Sequence, residues 1–326
     1  LIAVVGAVLA SRPETDMFYI SIGTIQAFIT YSKQFTRPIN EIANQYAQIQ
    51  SALAGAERVF EVMDSQPEDR GGTEPFEIEN VRGDINFKDI DFSYVKGEQV
   101  LKHFDLWVKS GQKIAIVGAT GSGKTTVVNL LTRFYDIDGG VITLDGQDIR
   151  NIPTKKLRGR IGIFLQDTVI FSDTIAQNIR YGRTDATDEE VVAAAKVARV
   201  DDFASKLSDG YNTMLTEGGS NLSQGQRQLI SIARAVLADP KILILDEATS
   251  SIDTRTEMHI QEAMVALMKG RTSLIIAHRL STIRDADKIV VISGGKVVEA
   301  GDHDELLAQQ GEYYKLYQSQ FAGIAT

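Results

Sequence analysis

A glycine-rich stretch with a lysine near its end carries the clearest chemical signal in this sequence. Residues 118–125 fit the phosphate-binding pattern G-x-x-x-x-G-K-[ST]. In this pattern the glycines let backbone N–H groups turn towards phosphate oxygens, and the following helix adds partial positive charge at its N-terminus. Lys124 would reach the β- and γ-phosphates, and the Thr125 hydroxyl would ligate Mg²⁺. The stretch predicts a nucleoside triphosphate site.

The sequence on either side of this stretch supports that prediction. An apolar run at 113–118 leads into it, and a helix-compatible run at 125–133 leads out of it. The alternative is an ordinary glycine-rich turn between a strand and a helix. A chance match in a chain of this length is on the order of one in a hundred, and the strand–loop–helix context makes chance weaker still.

Two adjacent carboxylates, Asp246 and Glu247, follow the apolar run 242–245. A continuous apolar run is typical of a buried parallel strand. At the end of such a strand, Asp246 would join the Mg²⁺ shell, and Glu247 would orient and polarise an attacking water. The alternative, a core strand followed by two solvated acids, is credible in isolation and weak beside a phosphate-binding loop.

A second anion site is predicted at 222–226, which reads Leu-Ser-Gln-Gly-Gln. Ser223 can cap the helix that follows. The apolar residues of that helix recur at helical spacing, at Leu229, Ile232, Ala233, Val236 and Leu237. An exposed Ser-x-Gly at a helix N-terminus offers N–H groups to an anion. Because one phosphate loop holds one triphosphate, this site would serve a nucleotide held by another subunit; the alternative is a plain helix cap.

The elements that would position these motifs alternate between strands and helices. Alternating apolar residues predict strand structure at 85–94, and a one-residue slip in the alternation indicates a bulge or a break. Further strands are predicted at 104–108, 113–118, 141–144, 161–165, 242–245, 273–277, 288–292 and 296–299. A capping box at 187–190 predicts a helix through Val200, and a last helix is predicted from about His303.

The first 64 residues have a different pattern. Residues 20 to about 64 predict one helix, on the order of 65 Å long at 1.5 Å per residue. Its first half is apolar and its second half amphipathic, as expected where a helix leaves a bilayer, although a long soluble helix is the alternative. The apolar runs 1–10 and about 17–31 are shorter than the ~20 residues that span a bilayer. Prolines, glycines and charges at 65–75 mark a boundary.

Composition excludes several classes of protein. The net charge of −9 argues against nucleic acid as a partner, because phosphate-backbone binding needs a basic face. The chain has no cysteine, which excludes disulfides, thiolate metal sites and cysteine nucleophiles. Its four histidines suggest no metal cluster.

With its motifs in this order and spacing, the sequence resembles the C-terminal part of an ABC exporter half-transporter over essentially all 326 residues. The resemblance implies an α/β P-loop NTPase fold, with a RecA-like core, a helical subdomain and an antiparallel β subdomain, preceded by all-α transmembrane helices. It places the end of the transmembrane domain at 1–64, a linker at 65–82 and the nucleotide-binding domain at 83–326.

The resemblance also implies roles for single residues. Tyr94 resembles the aromatic residue that stacks on adenine, and Gln166 the glutamine that contacts Mg²⁺ or water and faces the membrane domain. Asp253 resembles an aspartate at the dimer interface, and His278 the switch histidine on the γ-phosphate. The phosphate loop comprises Gly118, Ala119, Thr120, Gly121, Ser122, Gly123, Lys124, Thr125 and Thr126. The signature that closes the partner's ATP site comprises Leu222, Ser223, Gln224, Gly225 and Gln226, with Gln224 where the commonest family form has glycine.

The implied activity is ATP-driven export across the cell membrane. Such a chain binds ATP and Mg²⁺, hydrolyses ATP in a sandwich with an identical or different second half-transporter, and is a multi-pass protein in lipid with a cytoplasmic nucleotide-binding domain. The transported substrate is not indicated. The alternatives are a soluble DNA-repair-type ATPase, a separate importer ATPase subunit and a non-hydrolysing regulatory binder. This chain lacks the coiled-coil insertion of a DNA-repair-type ATPase. A separate importer subunit would have no use for residues 1–64, and Glu247 with His278 argues against a non-hydrolysing binder.

Overall fold

The computed structural model describes residues 2–13, 15–65, 67–68, 71–72, 81–164, 168–246, 254–277 and 280–320. The chain divides into two compact units, Leu1–Asp69 and Arg70–Thr326.

The first unit consists of two helices, α1 (Ile2–Ala10) and α2 (Ile22–Met63). The predicted long helix is confirmed. It begins after Ser21, whose hydroxyl accepts a hydrogen bond from the backbone N–H of Thr24. The two helices pack closely at Gly6, where an added Cβ would lie 2.9 Å from Cγ2 of Ile25.

Along α2, apolar residues recur alternately four and three positions apart. They are Phe35, Ile39, Ile42, Tyr46, Ile49, Leu53, Ala56, Phe60 and Met63, a set that we term the α2 seam. Its large side chains are all more than half exposed. A seven-residue apolar repeat is typical of a helix that packs lengthwise against another helix. In the described part of the chain, no helix combines the length and the apolar character needed to cross a bilayer.

The second unit contains the strands and the remaining helices. The strands are β1 (Ile85–Val95), β2 (Glu98–Val108), β3 (Lys113–Val117), β4 (Gly139–Leu144), β5 (Gln147–Asp148), β6 (Ile161–Phe164), β7 (Ile242–Asp246), β8 (Thr272–Ile276), β9 (Lys288–Ser293) and β10 (Lys296–Gly301). The helices are α3 (Lys124–Leu131), α4 (Thr154–Arg158), α5 (Ile175–Arg180), α6 (Asp188–Val197), α7 (Asp201–Ala204), α8 (Gln224–Ala238), α9 (Thr254–Met268), α10 (Leu280–Arg284), α11 (His303–Gln309) and α12 (Glu312–Gln320).

The strands form two sheets. The larger has the order β10-β9-β3-β8-β7-β6, with parallel pairing throughout except for the antiparallel edge strand β10. The smaller is antiparallel, with the order β2-β1-β4-β5. The predicted bulge in β1 is confirmed by register shifts between Phe87 and Ile90. The predicted α/β P-loop fold with an antiparallel β subdomain is thereby confirmed.

The parallel sheet is buried on both faces, which explains its continuous apolar strands. Along β3, Ala115 and Val117 join the core shared with helices α5, α6 and α8, whereas Ile114 and Ile116 join the core shared with the antiparallel sheet. Because both faces are packed, the ends of these strands are held firmly.

Two predicted helices have different limits in the structure. The helix that begins after Thr187 ends at Val197 rather than continuing to Val200, since Arg199 adopts the left-handed region at φ 59°. The predicted single C-terminal helix is wrong. It is broken into α11 and α12 at Gln310, which has φ 52° and is followed by Gly311.

Candidate nucleotide site

Four neighbouring parallel strands bring the predicted chemistry to one edge of the sheet. β3 pairs with β8, β8 with β7 and β7 with β6, so their carboxyl ends lie side by side. The loop 118–123 follows β3, and Asp246 is the last residue of β7. Gln166, Glu247, Asp253 and His278 lie outside the described residues.

Glycines shape the loop between β3 and α3. Gly123 has φ 107°, and a Cβ added there would lie 2.8 Å from Cδ2 of Leu101. At Gly118, an added Cβ would lie 2.3 Å from the carbonyl oxygen of Ile292. Gly123 needs a left-handed backbone, and Gly118 allows two backbone segments to approach each other closely, so both positions require glycine.

The N-terminus of α3 is open. No side chain from the described residues caps it, because its N-cap position is Gly123. Beside it, the buried hydroxyl of Ser122 has no hydrogen-bond partner within the described parts of the chain. Free N–H groups and a free hydroxyl at a positive helix end fit the oxygens of a phosphate.

Lys124 lies over this loop. Its Nζ donates to the carbonyl oxygens of Gly118 at 2.8 Å and of Ala119 at 2.9 Å. Burial lowers the pKa of Lys124, and the Asp246 carboxylate partly opposes this shift by attracting the ammonium. Asp246, the last residue of β7, therefore acts electrostatically on the phosphate loop. In the same helix, Thr125 is exposed and Thr126 is buried.

Tyr94, near the end of β1, borders this site. It is 44% exposed and lines a cavity of about 340 Å³ together with Gly121 and Gly295. Its hydroxyl donates to Oγ1 of Thr126 at 3.3 Å and accepts from Nδ2 of Asn129 at 3.0 Å. Sequence reasoning missed Asn129, because nothing in its local pattern distinguishes it from any other polar residue on α3.

The predicted cap of α8 is confirmed. Ser223 Oγ accepts from the N–H of Gln226 at 3.2 Å, and Gln226 Oε1 accepts from the N–H of Ser223 at 2.9 Å. Arg227 steadies the preceding turn by donating to the carbonyl oxygen of Leu222. Most of the predicted apolar stripe is buried, at Leu229, Ile232, Ala233 and Leu237.

The signature residues do not belong to the cavity beside Tyr94. Among the described residues that line that cavity, none comes from 222–226. The Ser223 hydroxyl is instead engaged within its own helix cap. In the described residues, Tyr94 thus lies beside the phosphate loop, with its hydroxyl bonded to Thr126, and residues 222–226 do not line the same cavity.

Comparisons with known proteins agree with this geometry. Residues 101–250 match the ABC transporter family model. The chain is 54% identical, over 98% of its length and 52% of the relative's, to an uncharacterized ABC transporter ATP-binding protein, YfiC, of Bacillus subtilis. It is 52% identical, over 91% of its length and 47% of the relative's, to a fatty acid ABC transporter ATP-binding/permease protein of Mycobacterium bovis.

Among solved structures, a bacterial Atm1-family ABC exporter with ATP bound matches with a TM-score of 0.73 and 37% identity. The match covers 100% of this chain and 56% of that one. These similarities confirm the resemblance to ABC exporters. The chain spans about half the length of the curated relatives that it matches.

Proposed function

Residues 101–250 belong to the ABC transporter family, and on this premise we propose that the chain binds and hydrolyses ATP to drive export across a membrane. The observation that carries the proposal is the open N-terminus of α3 with the unpartnered Ser122 hydroxyl beside it. Burying a hydroxyl without a hydrogen-bond partner costs free energy, and a phosphate oxygen would supply the acceptor that Ser122 lacks among the described residues.

The residues present also fit a magnesium ion. Thr125, Asp246 and Gln166 would hold Mg²⁺, since hydroxyl, carboxylate and amide oxygens are the ligands it prefers. When bound, the metal would neutralise charge on the phosphates. Asp246, at the end of β7, also acts electrostatically on Lys124 of the phosphate loop, as expected of two groups that face the same nucleotide.

Hydrolysis would depend mainly on positioning and charge. Glu247 would orient and polarise the attacking water, and His278 would contact the γ-phosphate. Tyr94 would stack on the adenine at the cavity wall. Each of these roles follows the resemblance. In the sequence, Glu247 comes directly after β7 and His278 comes shortly after β8.

The proposed partner is a second ABC half-transporter, identical or different. Residues 222–226 of one chain would close the ATP site of the other, with Asp253 at the interface. In the isolated chain the Ser223 hydroxyl is already bonded to the N–H of Gln226. A hydroxyl that accepts one hydrogen bond can still donate another. In the dimer, Ser223 would therefore keep its helix cap and donate its own hydrogen to a phosphate oxygen, and this added contact would favour closure.

We place the export step in a multi-pass membrane protein whose nucleotide-binding domain faces the cytoplasm. The α2 seam supports this part of the proposal, because a helix with such an exposed apolar repeat needs partner helices. A separate ATPase subunit would have no use for it. Closure of two nucleotide-binding domains would shift the membrane helices from one state to another. The size of this shift in population is limited by the difference in ATP affinity between the two states.

The proposal is tested by replacing the proposed base. In Glu247→Gln, we expect ATP turnover to fall by roughly 10²–10⁴-fold, the contribution of a general base, while ATP affinity stays near that of wild type. Turnover is measured by phosphate release and affinity by titration calorimetry, both in lipid with the partner present. Asp304→Asn, which removes the charge of one exposed carboxylate on α11, is the control and should leave turnover unchanged. Retained hydrolysis in Glu247→Gln would reject Glu247 as the base.

A further inference from the structure

The hydrogen bond between Asn129 and Tyr94 joins two elements that are 35 residues apart in sequence. Asn129 lies on α3, the helix that begins at the phosphate loop. Its Nδ2 donates to the Tyr94 hydroxyl at 3.0 Å, and the same hydroxyl donates to Oγ1 of Thr126 on that helix. Tyr94 is therefore attached to α3 through its hydroxyl at two points.

The position of Tyr94 on the chain explains why such an attachment matters. Residues 94–99, at the tip of the β1–β2 hairpin, are all exposed, and Gly97 takes φ 96° in the turn. The ring packs edge-to-face against Phe92 and Tyr135, with centroids 4.8 Å and 4.9 Å away. Edge contacts between rings tolerate sliding and tilting, whereas a hydrogen bond fixes a distance and an angle.

We infer that Asn129 is a positioning residue for base recognition: its amide holds the Tyr94 ring at the wall of the cavity, ready to stack on adenine. A ring that is fixed before the ligand arrives loses less conformational entropy on binding, so the affinity for the base is higher. The inference rests on the proposed ATP binding and adds to it a residue outside the phosphate loop. Asn129 acts through Tyr94, not on the phosphates.

Two ligands separate this role from a general effect on the helix. ATP engages both the base wall and the phosphate loop, whereas inorganic tripolyphosphate engages only the loop. In Asn129→Leu, which keeps the side-chain size and removes the donor, we expect the Kd for ATP to rise about 2- to 10-fold, as for loss of one hydrogen bond. The Kd for tripolyphosphate should not change.

A second experiment repeats Asn129→Leu in a variant that lacks the Tyr94 hydroxyl. Tyr94→Phe keeps the ring and removes the acceptor, so adding Asn129→Leu to it should change ATP affinity no further. All variants are measured by titration calorimetry on the whole chain, with circular dichroism to confirm folding.

Four results would overturn the inference: an equal loss for tripolyphosphate, no loss for ATP, tighter ATP binding, or an undiminished loss in the Tyr94→Phe background. Failure of the wild-type chain to bind ATP would instead reject the proposed function. If wild type binds ATP and Asn129→Leu behaves as wild type, only the inference fails.

Discussion

Helices α6 and α8 begin with the same capping arrangement and differ in the charge of the residues that build it. At α6, Thr187 pairs with Glu190, and the first turn also contains Asp188 and Glu189. At α8, Ser223 pairs with the neutral Gln226, and no acid stands in the first turn. The helix α3 likewise starts without an acid, and without a side-chain cap from the described residues.

This difference separates helix ends built for stability from helix ends open to a ligand. Carboxylates at a helix N-terminus stabilise it by complementing its partial positive charge. The same carboxylates would repel a phosphate. The neutral cap of α8 gives up part of that stabilisation and leaves the end attractive to an anion, as the second site in our proposal requires.

The largest expected effect on ATP affinity is at the open helix end. In Lys124→Ala, the ATP affinity should fall about 10- to 100-fold, because a hydrogen bond to a charged group contributes ~1.5–3 kcal/mol. Titration calorimetry measures the change. Lys155→Ala, which removes an exposed lysine on α4, is the control and should bind ATP normally. Unchanged affinity in Lys124→Ala would contradict the phosphate-loop assignment.

A smaller effect separates the two roles of Ser223. Ser223→Ala should lower the free energy of unfolding by about 1 kcal/mol, the usual cost of losing a cap, and should also reduce ATPase activity. Ser223→Asp should keep the stability, since aspartate caps a helix equally well, and should lose the activity, since its carboxylate repels phosphate. Chemical denaturation and phosphate release measure the two quantities.

The matched control for these variants is at α6. Thr187→Ala removes the equivalent cap, whose hydroxyl accepts from the N–H of Glu190 at 3.3 Å. Thr187→Ala should lower the free energy of unfolding by a similar amount and leave the ATPase rate of the folded dimer unchanged. Full ATPase activity in Ser223→Asp would show that α8 is only a capped helix, like α6.

The phosphate loop, its flanking strand and helix and the Ser223 cap were predictable from the sequence, because each depends on neighbours within a few residues. The helix break at Gln310 was not predicted, since a left-handed glutamine has no strong local signal. The bond from Asn129 to Tyr94 was not predictable either. It exists because the β1–β2 hairpin lies against α3, and that contact depends on packing between distant segments.

The smallest expected effect is a difference in acid sensitivity between the two capping boxes. The N–H of Thr187 donates to Glu190 and holds the pKa of that carboxyl below its ordinary value, with help from the Arg183 guanidinium. A lowered pKa in the folded state means that the stabilisation is present above the unfolded-state pKa of about 4.3 and is lost as the pH falls through the folded-state value. The box at α8 has no such dependence, because Gln226 does not titrate.

Exchanging the two residues tests this directly. Glu190→Gln should lower the Tm slightly near pH 7, and its difference from wild type should disappear as the pH falls through the lowered folded-state pKa of Glu190, where the wild-type carboxyl becomes protonated. Gln226→Glu should do the opposite: it should add stability at neutral pH that is lost in acid, and it should weaken ATP hydrolysis by placing a charge beside the anion site. Thermal unfolding at several pH values gives both profiles. If the Tm of wild type and of Glu190→Gln changed with pH in the same way, charge would not distinguish the N-terminus of α6 from that of α8.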